Sequence, residues 1–117
     1  MNLNRKCMMK KIAALCLLFV SSFGVASVEL TDAQQKVTEY FISSEEPKVK
    51  DATWTAPDIF KVGVFDDGSR RNGYAEYVCM VLYDHGLKGK KVWVHVVDIE
   101  KVINEKRFVK LGEAQCL

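Results

Sequence analysis

The feature that most constrains this chain is its N-terminal segment. Arg5, Lys6, Lys10 and Lys11 precede an apolar run over residues 12–20, and small residues follow in Ser21-Ser22-Phe23-Gly24-Val25-Ala26-Ser27. Basic, apolar and small, in that order, is the make-up of a secretory signal peptide. The apolar run is shorter than the ~20 residues of a comfortable transmembrane helix. Gly24 and Ala26 satisfy the small-x-small rule, which places cleavage after Ala26, with Ser27 the next choice. Met8-Met9-Lys10-Lys11 is itself a natural beginning for such a leader. Lipidation at Cys16 is disfavoured, because Leu15 is large for the position before a lipidated cysteine and the apolar region runs past it. The expectation is a signal peptide over residues 1–26 and one small domain over residues 27–117, in an exported bacterial protein that is periplasmic or secreted.

Removing the leader changes the charge argument. The 117 residues carry 17 Lys and Arg against 15 Asp and Glu, a formal charge of +2. Four basic charges leave with the leader, so 13 stand against 15 and the remaining 91 residues carry −2. The balance gives no reason to expect nucleic acid as a partner. Charges of both signs are interspersed, and Lys88, Lys90 and Lys91 are the nearest approach to a basic run. No membrane contact is expected once the leader is gone.

The cysteines follow the same cut. Cys7 and Cys16 belong to the leader, leaving Cys79 and Cys116. Two cysteines in an oxidising compartment most simply make one disulfide. Neither a C-x-x-C redox pair nor the ligand spacing of a zinc site is present, so no metal and no cofactor is expected. A domain this small buries only ~60–65% of its unfolded surface, so a crosslink matters to it.

Hydrophobic patterning predicts an α+β fold of two layers. Thr31-Asp32-Ala33-Gln34 has the spacing of a capping box, and Leu30, Ala33, Val37, Tyr40 and Phe41 recur at helical period behind it. Ser43-Ser44 and Pro47 end that helix, and residues 45–51 read as a polar loop. Residues 52–56 form a short edge strand, and Pro57-Asp58 a turn. Residues 59–65 are a strand by their β-branched and aromatic content. Ala75, Val78, Cys79 and Leu82 then give a helix over residues 74–86, with Gly86 at its C-terminal cap. Residues 92–97 form the strongest strand, apolar enough to be central and covered on both faces. Residues 98–103 fit a continued strand or a helical turn equally, and 107–111 a last strand. The order is an N-terminal helix followed by β-α-β-β with a three- or four-stranded sheet. A parallel crossover with an antiparallel last strand competes with an all-antiparallel sheet.

The most distinctive stretch is Asp66-Asp67-Gly68-Ser69-Arg70-Arg71-Asn72-Gly73, between a strand and a helix start. Free amides and two arginines beside a helix N-terminus suit an anion or carboxylate, so Arg70, Arg71, Ser69 and Asn72 are the candidate ligand residues. A hydrophilic connection with turn glycines explains the same residues. Tyr74-Ala75 stand where a phosphate-binding loop needs Lys-Ser/Thr, and the aspartates lack the alternation of a calcium loop. Tyr77, Tyr83 and Trp54 are candidates for a partner surface, against the simpler use of large amphipathic side chains to cover a thin core.

His85 at a helix end and His95 within the central strand have structural explanations. No G-x-S-x-G or catalytic-cysteine context accompanies them. The functional expectation is a non-enzymatic binding or inhibitory module whose partner is another envelope or extracellular protein. The alternatives are a small hydrolase or transferase using His95 or His85 with Asp66 and Asp67, and an accessory subunit of an envelope assembly.

Overall fold

In a computed structural model the residues described are 28–117. The expected signal peptide, its cleavage site and Cys16 lie outside them. Helix α1 (Asp32–Ile42) starts where its capping residues dictate. Thr31 Oγ1 accepts the Gln34 amide at 3.2 Å, and Gln34 Oε1 accepts the Thr31 amide at 2.9 Å. The buried Gln34 side chain also donates to the Pro57 carbonyl at 2.9 Å, which ties the helix start to the first hairpin.

That hairpin is β1 (Asp51–Ala56) and β2 (Ile59–Val64), paired antiparallel around Pro57-Asp58. Helix α2 (Asn72–Leu82) follows, widens into a π-helical turn over Tyr83–Leu87, and stops at Gly86, whose φ of 92° only glycine adopts freely. Strand β3 (Val92–Asp98), helix α3 (Ile99–Glu105) and strand β4 (Lys110–Cys116) complete the chain. The sheet order is β1-β2-β3-β4, with β2 and β3 parallel and β4 antiparallel to β3. The fold is therefore α+β with the crossover topology, and a four-stranded mixed sheet.

One core lies between the sheet and helices α1 and α2. Alternate residues Ala52 and Trp54, Phe60, Val62 and Val64, and Val92, Val94 and Val96 meet Val37 and Phe41 of α1 and Val78 and Leu82 of α2. The Phe41 and Phe60 rings pack tilted with centres 5.5 Å apart, and those of Trp54 and Phe60 with centres 4.7 Å apart. Each fully buried Phe or Val side chain contributes on the order of 1.5–3 kcal/mol.

Two details differ from the sequence reading, and a third that it leaves open is resolved. Strand β3 is not covered on both faces: Trp93 is 38% exposed and His95 half-buried, and only its end is roofed, by Ile99 of α3 against Gly63. Hydropathy cannot tell an exposed tryptophan from a buried one. The last strand runs over Lys110–Cys116 rather than 107–111, so Cys116 ends it instead of following it. Lys106 adopts a left-handed conformation and closes α3, and Phe108 turns to lie against Lys61 at 4.9 Å. Residues 99–105 settle the undecided stretch as helix, because the Asp98 carboxylate caps it by accepting the Glu100 amide at 3.0 Å.

Candidate functional site

The loop between α1 and β1 is organised by one buried carboxylate. Glu46 is 7% exposed and accepts three phenolic hydroxyls. Tyr74 donates to its Oε1 at 3.0 Å, while Tyr40 and Tyr77 donate to its Oε2 at 3.2 and 2.5 Å. A charge taken out of water is tolerated only with such a set of donors. Glu46 thereby fastens the loop to α1 through Tyr40 and to α2 through Tyr74 and Tyr77. Burial, together with the Glu46 carboxylate, raises Tyr40 and Tyr74 above the ordinary phenol range. For Tyr77 the hydrogen bond to Glu46 is the larger cause of the same shift.

Fixing this loop builds one wall of a cleft of about 460 Å³. Pro47, Lys48 and Lys50 stand on the loop side. Phe65, Asp67, Ser69 and Arg71 of the β2–α2 connection stand on the other, with Tyr74 also lining the space. The lining holds three cations and one carboxylate. Lys50 Nζ donates to the Pro47 carbonyl at 3.1 Å and lies 5.5 Å from the centre of the Phe65 ring, itself 53% exposed. No ion pair among the described residues engages Lys48 or Lys50.

Arg71 is the best-held cation of the three. Its side chain is only 12% exposed, donates to the Phe65 carbonyl at 2.9 Å and meets Asp67 at 3.3 Å. Its Nε is buried without a partner. Asp67 is locked in turn by the Ser69 hydroxyl at 2.6 Å and the Ser69 amide at 2.9 Å. Those bonds, with Arg71 beside it, bring its carboxyl down to about 2. Helix α2 opens at Arg71 without a side-chain cap.

The four residues singled out in the sequence do not share one site. Arg71 and Ser69 line the cleft, whereas Arg70 and Asn72 line a shallow depression beside Lys110, Leu111 and Glu113 on β4. Asn72 Oδ1 accepts the Glu113 amide at 3.0 Å, and the Arg71 amide donates to the Leu111 carbonyl at 3.0 Å. These bonds press the start of α2 against β4, where Gly112 leaves room for the backbone. Tyr77 is 41% exposed above Glu46. Tyr83 and Trp54 serve the fold: the Tyr83 hydroxyl accepts the Leu117 amide at 2.9 Å, and Trp54 Nε1 donates to Thr38 Oγ1 at 2.9 Å from within the core.

The histidines and aspartates are not assembled into acid–base machinery. His85 Nδ1 is bonded to the Val81 carbonyl at 2.9 Å and its ring packs on Tyr40. His95 faces Glu113 across β3 and β4 at 3.8 Å, and burial followed by the nearby Lys61 and Lys110 lowers its proton affinity. Asp66 accepts the Gly68 amide at 2.8 Å. Neither histidine shares a hydrogen bond or ion pair with Asp66 or Asp67 among the described residues.

Cys79 of α2 and Cys116 of β4 are bonded as a disulfide, with Cα atoms 5.4 Å apart. It locks the helix that carries Tyr74 and Tyr77 to the last strand. Among the described residues, no group of three or more His, Cys, Asp or Glu could hold a metal, and no helix is long and apolar enough to cross a membrane. The chain matches no family model, no curated protein and no solved structure.

The sequence reading missed Glu46, Lys48 and Lys50. Their loop has no hydrophobic period, so nothing local marks it. The available signal was a carboxylate in a short loop, followed at once by proline and two lysines, in a chain with tyrosines on both flanking helices.

Proposed function

We propose that this is an exported, non-enzymatic binding module, periplasmic or secreted, that captures an acidic group of its partner in the cleft between residues 47–50 and 65–74. The observation that carries the reading is the presence of Lys48, Lys50 and Arg71 around the exposed Phe65 ring, in a wall fixed by Glu46. Clefts that pair a few placed charges with an aromatic surface bind, and a preformed wall reduces the ordering cost of binding. The disulfide supports an oxidising compartment. The separate engagements of His85 and His95 favour binding over hydrolysis or group transfer.

The test is capture by the exported protein of acidic components from envelope and culture fluid, beside a Lys48→Glu/Lys50→Glu variant. Retention that is lost with the charge reversal and weakened by salt is expected. Retention that survives the reversal, or turnover of a substrate that depends on His95, would overturn the proposal.

A further inference from the structure

We infer that the acidic group this cleft accepts is a doubly charged phosphate carried on an apolar or aromatic body, a phosphomonoester rather than a carboxylate. The inference rests on the binding reading above and narrows it to a ligand class. Three observations carry it.

The first is charge. Three cations and one carboxylate line the cleft, a surplus of two positive charges. A phosphomonoester brings about −1.5 to −2 on a single group at pH 7, so it matches the surplus where a monocarboxylate leaves half of it uncompensated.

The second is the kind of donor left over. An arginine recognises a carboxylate best through the paired edge of its guanidinium. In Arg71 the Nη2 corner of that edge is already shared between the Phe65 carbonyl and Asp67, and Nε is buried, so the paired edge is not free to face a carboxylate. The Ser69 hydroxyl is spent on Asp67 as well. Among the described residues, the lining cations without an ion pair are the two lysine ammoniums, Lys50 with one donor on the Pro47 carbonyl, compact charges whose other donors rotate to suit the three oxygens of a phosphate.

The third is size. About 460 Å³ falls in the range of small-molecule sites and exceeds what a bare phosphate fills. Phe65, half exposed at the cleft, offers the remainder of the ligand an apolar contact.

The charged and titratable groups facing the bound group are Lys48 and Lys50 from the loop, Asp67 and Arg71 from the β2–α2 connection, and Tyr74 from α2, with Glu46 behind it. Asp67, held at about 2, keeps its charge between pH 5 and 7. The ligand itself gains its second charge there, with an ionisation near pH 6. Affinity for a phosphomonoester therefore rises about tenfold from pH 5 to pH 7, following the dianion fraction.

The experiment is calorimetric titration of the exported, disulfide-bonded protein with phenyl phosphate, inorganic phosphate, succinate and benzoate, and co-sedimentation with phosphatidate-containing vesicles. Phenyl phosphate is expected to bind at least tenfold more tightly than succinate or benzoate, and more tightly than inorganic phosphate. Lys48→Ala/Lys50→Ala, whose unchanged melting point reports an intact fold, should lose tenfold or more. Sedimentation with vesicles would identify a lipid headgroup as the source of the same chemistry, and its absence a soluble monoester. Succinate or benzoate binding as tightly as phenyl phosphate overturns the phosphate class but leaves an acid-binding cleft standing. Failure of every anion removes both.

Discussion

Gly112→Ala should be among the most damaging single-methyl additions available to this protein. A Cβ built at Gly112 falls on the carbonyl carbon of Arg71 and lies 2.5 Å from both the Arg71 oxygen and the Asn72 nitrogen. These are backbone atoms at the start of α2, so no rotamer change relieves the contact. The helix start must move off β4, which lengthens or breaks the Arg71 amide bond to Leu111 and the Asn72 bond to the Glu113 amide. Overpacking costs ~1–3 kcal/mol and each of the two lost hydrogen bonds about 1 kcal/mol, so a loss of about 3–5 kcal/mol is expected. In a domain of this size that lowers the melting temperature by at least ~12 °C. Gly73→Ala is the matched control. It is the second residue of α2, next to Asn72, with open space around its Cβ, and should stabilise by roughly 0.4–1 kcal/mol. Urea unfolding of the two variants measures both values. A Gly112→Ala protein within about 1 kcal/mol of the parent would refute the docking of α2 on β4, and with it the placement of Arg71 in the cleft.

Glu46→Gln should cost on the order of 2–4 kcal/mol, because one amide oxygen and an unwanted donor replace two carboxylate oxygens that accept three hydroxyls; denaturant midpoints read it. Tyr40, Tyr74 and Tyr77 ionise above the ordinary phenol value of 10 in the folded protein, so the unfolded chain releases its protons first. Stability complete below pH 10 is thus lost as pH climbs past it, and a pH-resolved melt should show that loss shrink in Glu46→Gln. Reducing the disulfide, which closes a separation of 37 residues, should remove about 3–4 kcal/mol, measured by melting with and without reductant. The intact mass of the exported form should begin at Ser27 or Val28; retention of residues 12–20 would mean a membrane anchor.

The elements legible in the sequence were those whose signals are local. The Thr31–Gln34 capping box, the helical stripe through Val78 and Leu82, and the β-branched runs around Val62 and Val94 each specify their element without help from the rest of the chain. The disulfide was legible because assigning Cys7 and Cys16 to the expected leader leaves Cys79 and Cys116 a single pairing. The last strand was misplaced because β4 holds no β-branched residue and two small ones; it is a strand because β3 offers it a ladder. The cleft was half legible. Arg71 and Ser69 sit in a loop with recognisable chemistry, but Arg70 and Asn72 diverge from them through the geometry of one helix start docked on one strand. Lys48 and Lys50 join the site through Glu46 and its tyrosines, through buried Val49 and through the Lys50 amide on the Gly63 carbonyl, contacts spanning up to 31 positions that no local pattern encodes.

Binding of an acidic group in the cleft is tested by an amide-resolved NMR titration of the exported protein with phenyl phosphate and then succinate. Saturable shifts confined to residues 47–50 and 65–74, weakened by salt and abolished in Lys48→Ala/Lys50→Ala, are expected. Shifts centred instead on the open sheet face around Trp93, His95 and Gln115, or no saturable shift with either probe, would contradict binding in the cleft.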